Sequence, residues 1–380
     1  MSESLARRIE ASWTAPPGQA SLPPGLGVLL RLLARVFLTL THVRRSLYRL
    51  GLMKSVRLPV PTIVVGNRIV GGAGKTPTTI ALARYLNTQG WHVGIVSRGY
   101  GRAPQNTAPC PVGPDSPAAQ VGDEPLLMHL RTGCPVWVGR DRVAAARALL
   151  TAHPRITLIL CDDGLQHLRL GRDLEVIVFD ERGPGNGWVL PAGPLREPIE
   201  RPTRPGDPAQ LVLYNASAPT TRLAGWTARR QFDPPVLLSH WWQGNPTAAS
   251  TLPARLRDEP LLACAGLGQP QRFFATVAQL GLGAPLATLA LPDHADFTQW
   301  PWVDGHLRTA QGQPIRQLIV TEKDAVKIDP DRLARDWPGL TVWVLAMSLE
   351  LDPQFLQALT DGMARLASQD RITPHGHPTA

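Results

Sequence analysis

Residues 66–77 read "GNRIVGGAGKTP" and follow the apolar run "PTIVV" directly. Glycines crowded before Gly-Lys-Thr suit one kind of chemistry, the holding of a phosphate chain. Backbone N–H groups converge on the anion where no Cβ stands in the way, and a helix N-terminus adds partial positive charge. Lys75 would reach the terminal phosphates and the Thr76 hydroxyl would serve Mg²⁺. The strict pattern asks for glycine at position 69, which is Ile69, so Gly71 and Gly72 supply the flexibility here. An ordinary strand–turn–helix with a chance Gly-Lys-Thr is the alternative. A second candidate stretch is "ITLILCDDGLQHLRL" at 156–170, an apolar strand delivering Asp162 and Asp163 to its C-terminal edge. A carboxylate there can organise Mg²⁺ directly or through water. "VGDEP" at 121–125 puts Asp123 and Glu124 at a helix start, where carboxylates also cap N–H groups.

These groups need elements to position them. The β-branched run before the loop reads as a buried strand, and "TPTTIALARYLNTQG" as a helix stopping at Gly90. "HVGIVS", "CPVWVGRDRVAAARALL" and "LEVIVFD" continue the alternation of strand and helix, the pattern of a parallel α/β sheet. Open sheets of this kind bind ligands at the carboxyl ends of their strands. "RGPGNGWVLPAGPLREP" at 182–198 is too rich in Gly and Pro for regular structure and reads as an ordered functional loop. Further strands and helices follow beyond about residue 205, interrupted by "ALPDHADF" at 290–297. A histidine flanked by acids there fits a catalytic dyad or a surface turn equally. "TEKD" at 321–324 resembles a guanine-binding motif, but Glu322 stands where the lysine would be, so guanine specificity does not follow.

The chain has 380 residues, 43% of them hydrophobic, enough for two globular lobes. Four scattered cysteines, without metal-ligand spacing, fit a reducing compartment. Of the net charge of +9, residues 1–57 carry +7, from nine Lys/Arg against two Glu. That basic segment includes "GLGVLLRLLARVFLTLTHVRRSLYRLG", whose apolar residues share a helix with Arg31 and Arg35. An interfacial helix with its arginines at the headgroups is the expected form, and a tilted span or a core helix are the alternatives. The expected organisation is a membrane-associating segment at 1–57, a P-loop lobe at 58–204 and a second, smaller α/β lobe at 205–345. A C-terminal helix at 346–370 and a disordered tail at 371–380 complete it.

Taken in order, "GNRIVGGAGKTP", "SRGYGR", "VGDEP", "GRDRVAAA", "CDDGLQHLRL", "GNGWVLPAGPLREP", "AGLGQPQRFF", "PDHADF" and "TEKDAVK" closely resemble the tetraacyldisaccharide 4′-kinases. The resemblance spans roughly residues 25–345. It implies a two-lobed P-loop protein with an N-terminal membrane helix, working at the cytoplasmic face of the inner membrane of Gram-negative bacteria. The implied reaction is transfer of the ATP γ-phosphate to the 4′-hydroxyl of a tetraacyl disaccharide 1-phosphate, the lipid A precursor. Carried over by motif, Gly71, Gly72, Ala73, Gly74, Lys75, Thr76 and Pro77 hold ATP. Asp123 looks like the catalytic base, tuned by His294. Thr76, Glu124, Asp162 and Asp163 are the Mg²⁺ candidates, and Arg98, Gln166, His167, Asn186 and Arg196 fall on the substrate side. The chain departs from the family pattern at Ala73, where Thr is usual, and in "DHADF", where a second His is common. No nucleic acid and no obligate protein partner are implied. Two rivals stand beside this reading. A P-loop switch acting on a protein would release ADP without lipid. A nucleic-acid binder using the basic segment would be salt-sensitive and indifferent to Lys75.

Overall fold

The runs "TIVVG", "VGIVS", "LILCD" and "LEVIVFD" have no polar face, and each forms a strand buried along its whole length. Strands covered on both faces are the mark of a parallel sheet between helices. The computed structural model describes residues 2–14, 22–100, 102, 107–201, 204–244, 256, 259–282, 286–292, 295, 297 and 314–367. The elements in chain order begin with α1 (Ser2–Thr14), α2 (Pro24–Arg49), β1 (Thr62–Gly66), α3 (Lys75–Thr88) and β2 (Val93–Ser97). Next come β3 (Cys110–Val112), α4 (Ala118–Val121), α5 (Asp123–Thr132), β4 (Val136–Val138), α6 (Arg142–Ala152) and β5 (Leu158–Asp162). They continue with β6 (Leu174–Asp180), β7 (Ala209–Asn215), β8 (Trp226–Phe232), β9 (Val236–Leu237), α7 (Leu238–Trp242) and β10 (Leu261–Ala265). The rest are helix Pro270–Gln279, β11 (Leu286–Ala290), β12 (Gln317–Thr321), helices Glu322–Ala325 and Pro330–Asp336, β13 (Thr341–Leu345), β14 (Met347–Leu351) and helix Pro353–Ala367.

The chain divides into two units, one of residues 1–98, 141–229 and 349–380, the other of residues 99–140 and 230–348. In the first, β7, β6, β1, β5 and β2 lie side by side and parallel. β1 sits between β5 (Val65 opposite Asp162) and β6 (Gly66 opposite Ile177). The chain leaves β1 for β2 on one side, and leaves β5 for β6 on the other. The carboxyl ends of β1 and β5 therefore flank a switch point, the place where open α/β sheets bind their ligands. Gly66 permits the close packing there, because a Cβ on it would fall 2.7 Å from Leu165 Cγ.

Helix α2 belongs to the same unit. Among its described side chains only Leu30 and Ala34, four residues apart, are buried, while Val28, Leu29, Leu32, Leu33, Val36, Leu40 and Val43 are exposed. Its C-terminal end is fastened by Arg45 to Glu197 and by Arg49 to Asp207 (3.1 Å). Arg31 lies 5.7 Å over the Trp188 ring. A helix held by its charges and one narrow seam, with the rest of its apolar surface in the open, is not a core helix. By length and composition, Gly25–Arg49 could cross a membrane.

The second unit holds a sheet in the order β11-β10-β12-β13-β9, parallel except for edge strand β9. Its core packs Ala263, Phe273, Phe274, Val277, Ile319, Trp343 and Leu345. β3 and β4 pair antiparallel within this unit.

Candidate active site

The glycine-rich loop starts where β1 ends. Gly71 (φ 93°) and Gly74 (φ 80°) take the left-handed backbone that glycine adopts without strain. Gly74 is the cap of α3, Lys75 its first residue, and Thr76 is buried in the first turn. Pro77 follows in that turn, where a missing N–H leaves no helix bond unmade. A Cβ on Gly74 would stand 2.4 Å from Asn215 Nδ2. Lys75 Nζ lies 3.4 Å from Asn67 Oδ1 and 3.7 Å from Asp163 Oδ1. Ala73 is buried, so its methyl packs into protein.

The acids at the end of β5 differ from one another. Asp162 is only 1% exposed and accepts hydrogen bonds from Thr79 Oγ1 (3.0 Å) and Ser97 Oγ (3.4 Å). Asp163 turns out of the strand through a positive φ of 47°, rare for a residue with a side chain. Its Oδ1 accepts from Arg196 Nη1 at 3.1 Å, and its carbonyl accepts from Arg142 Nη2 at 3.2 Å. Strain at a site held by several partners is a common feature of functional centres. Gln166 joins the group, donating to Asn67 O (3.2 Å) and Glu197 Oε1 (3.0 Å) and accepting from Arg196 Nη1 (3.3 Å). Lys75, Asp163, Gln166 and Arg196 are therefore gathered in one cluster, drawn from three separate stretches of sequence.

His167 stands beside this cluster. Burial, and then the charge of Arg142, pushes its imidazole down to about 4 against the opposing pull of Asp141, 4.0 Å away. It is neutral at neutral pH and acts there as a polar group rather than a cation. Arg98 is exposed at the end of β2. The Asn186 amide serves its own loop, donating to Ala192 O (2.8 Å) and accepting from Trp188 N (3.1 Å).

In the second unit, α5 is capped by Gly122, and Asp123 is its first residue, 8% exposed. The cap itself therefore carries no side chain. Asp123 Oδ2 lies 3.9 Å from Lys327 Nζ, which also pairs with Asp324 Oδ1 at 3.0 Å. Glu124 lies 3.9 Å from Lys323 Nζ. His294 lies outside the described residues. The "TEKD" acids are absorbed by the interior of this unit. Glu322 pairs with Arg131 and accepts from Trp241 Nε1 (2.9 Å) and Met347 N (3.0 Å). Asp324 accepts from Thr321 Oγ1 (2.7 Å) and Gly266 N (3.1 Å).

Sequence reasoning passed over Asn67, Arg182, Asn215 and Lys327. One signal was available for Asn215, a polar residue ending the apolar strand "LVLYN", as Asp162 ends "LILCD".

A profile of the family described as LpxK, tetraacyldisaccharide-1-P 4′-kinase, matches residues 26–364. The chain is 53% identical over 338 residues to the tetraacyldisaccharide 4′-kinase of Methylibium petroleiphilum, covering 89% of this chain and 90% of the relative. It is 52% identical to that of Leptothrix cholodnii, covering 94% and 96%. The crystal structure of LpxK from Aquifex aeolicus in complex with ATP superposes with a TM-score of 0.68 at 25% identity, covering 90% of this chain and 99% of that one. With the family profile matched over residues 26–364 and relatives more than 50% identical over about nine-tenths of the chain, the chain belongs to the tetraacyldisaccharide-1-P 4′-kinase family.

Proposed function

We propose that this chain transfers the γ-phosphate of ATP to the 4′-hydroxyl of a tetraacyldisaccharide 1-phosphate, at the cytoplasmic face of a Gram-negative inner membrane, with Mg²⁺. The observation that carries the reading is a cavity of about 870 Å³ in the first unit. It is walled by Ala34, Arg35 and Leu38 of α2 and by Trp188, Leu195 and Pro198 of the Gly/Pro-rich loop. One wall is thus the apolar helix, and the other is the segment that carries Arg196 towards Asp163 and Lys75. An amphiphile with apolar chains and a phosphorylated sugar head suits such a surface.

In this reading Gly71–Pro77 hold the nucleotide phosphates, and Lys75 neutralises the charge on the transferring group. The fit to phosphate rests on a loop that turns through positive φ at Gly71 and Gly74, where a Cβ on Gly74 would fall 2.4 Å from Asn215 Nδ2. For Mg²⁺, the donors at hand are hard oxygens, the Thr76 hydroxyl with Asp162 or Asp163, and Glu124 is the further candidate. Among the described residues no three His, Cys, Asp or Glu side chains form a cage. One or two carboxylates are what Mg²⁺ takes when phosphates and water complete its shell. Bound there, the ion would neutralise phosphate charge. Asp123 accepts the proton of the attacking hydroxyl and His294 orients it. Arg196, held by Asp163 and Gln166, presents a guanidinium to substrate phosphate. Arg98, Gln166, His167 and Asn186 complete the substrate side. The test is an ATP phosphotransfer assay with the purified disaccharide lipid in detergent. ADP release and a phosphorylated lipid, both lipid-dependent, are expected. ADP release at the same rate without lipid would favour a switch acting on a protein.

Residues 1–57 serve as the membrane-associating segment. The double substitution Leu32→Glu with Val36→Glu puts charge on the exposed face of α2, where both residues are more than half exposed. Each apolar side chain inserted at an interface is worth about 1.5–3 kcal/mol. Co-sedimentation with anionic vesicles is expected to weaken by at least ~10-fold, with the circular dichroism unchanged. Unaltered sedimentation would show that this face does not meet the membrane.

A further inference from the structure

The peptide group is planar and trans, so the C=O of one residue and the N–H of the next point in opposite directions. A side chain that holds a carbonyl on one side of a loop therefore aims the following N–H to the other side. In the cradle, three consecutive carbonyls are held in this way. Gly71 O accepts from Asn67 Nδ2 at 3.1 Å, Gly72 O from Arg182 Nη2 at 3.0 Å, and Ala73 O from Asn215 Nδ2 at 3.0 Å. Asn215 Nδ2 also reaches Gly74 O (3.2 Å) and Thr78 Oγ1 (3.3 Å), joining the loop to the first turn of α3.

The three braces are themselves fixed. Asn67 is fully buried and Asn215 is 2% exposed, at the end of β7. Arg182 is gripped by the buried Asp180, whose Oδ1 accepts from Arg182 N (3.1 Å) and whose Oδ2 accepts from Nε (2.8 Å). The fit is close. A Cβ on Gly71 would fall 3.0 Å from Arg182 Nη1, and one on Gly74 would fall 2.4 Å from Asn215 Nδ2.

We infer that Asn67, Arg182 and Asn215 form an outer brace that preorganises the cradle, holding the N–H groups of Gly72, Ala73 and Gly74 turned toward the bound phosphates before nucleotide arrives. They are positioning residues, acting through the loop backbone rather than on the substrate. The inference rests on Gly71–Lys75 being the phosphate cradle. A glycine-rich loop without such braces must order itself on binding, and that ordering subtracts from affinity.

The test measures ADP binding by calorimetry on the full chain in detergent, for Asn215→Asp, Arg182→Met and the double variant. Asn215→Asp keeps the shape of the side chain but sets an oxygen against the carbonyls of Ala73 and Gly74. The half-buried Arg182→Met retains bulk and loses the bond to Gly72. Each is expected to weaken ADP by about 10-fold, and the pair by less than the product, because both act on one loop. The melting temperature of nucleotide-free Arg182→Met should fall, because the buried Asp180 loses its cation. The readout is therefore the ADP-induced rise above each variant's own baseline, which shrinks if the loop is affected and which a general loss of stability would leave in place. If Asn215→Asp fails to fold, Arg182→Met alone decides. Wild-type ADP affinity in the variants, with Lys75→Ala impaired in the same assay, would overturn the brace alone. Wild-type affinity in Lys75→Ala as well would remove the cradle and the brace together.

Discussion

Asp123→Asn is expected to lower kcat by on the order of 10³-fold while ATP affinity stays at the wild-type level. The amide preserves the shape of the side chain but cannot take a proton from the attacking hydroxyl. Helix stability does not confound the result. The cap of α5 is Gly122, and Asn serves a helix start about as well as Asp. Nor does the substitution strand a cation, since Lys327 keeps its 3.0 Å pairing with Asp324. His294→Ala should cost less, because Asp123 would remain as a weaker base. The double variant should be little worse than Asp123→Asn alone, as members of one catalytic unit are not additive. The measurement is kcat for the three variants at saturating ATP and lipid. Fully multiplicative losses would separate the two residues, and a silent Asp123→Asn would return the base role to another carboxylate.

Lys75→Ala is expected to reduce phosphotransfer by about 10²-fold or more, with the fold intact. Lys75 is the first residue of α3 and the lone lysine of the loop, with its ammonium between Asn67 Oδ1 and Asp163 Oδ1. In the proposed reaction its loss removes the positive charge offered to the transferring phosphoryl group. Asp163 would keep Arg196 as its partner at 3.1 Å, so the local structure has a reason to survive. Single-turnover rates at saturating ATP separate chemistry from binding. Near-wild-type turnover would mean that Gly71–Pro77 do not hold the nucleotide.

The strand, glycine-rich loop and helix start at 62–77 were legible because their signal is local. A β-branched run, glycines and a helix start lie within 30 residues, and each obeys a short-range rule of backbone sterics or periodicity. The buried strands β1, β2, β5 and β6 were legible for the same reason, since four or five consecutive apolar residues leave a strand no polar face to expose. Basic charge and leucines at 1–57 pointed to an interfacial helix with a core helix left open, and among the described side chains of α2 only Leu30 and Ala34 are buried.

What the residues could not disclose was pairing at a distance. Asn215 reaches Ala73 across 142 positions, and Arg182 reaches Gly72 across 110. Neither asparagine nor arginine carries a periodic signature that would mark the contact. The roles of similar acids were equally open. Asp162 and Asp163 are adjacent in sequence, yet one is sealed against Thr79 and Ser97 hydroxyls while the other turns out to Arg196. Glu322, in a motif that suggested a nucleotide site, is held in the interior by Arg131 and Trp241. By itself, then, the sequence determined the elements and the chemistry available at their ends, because local sterics and burial act over a few residues. Tertiary structure alone decided which polar groups brace the loop, which gather at the strand ends and which are consumed by the core, because a hydrogen-bond partner is chosen by the packing of the sheet and not by the neighbours along the chain.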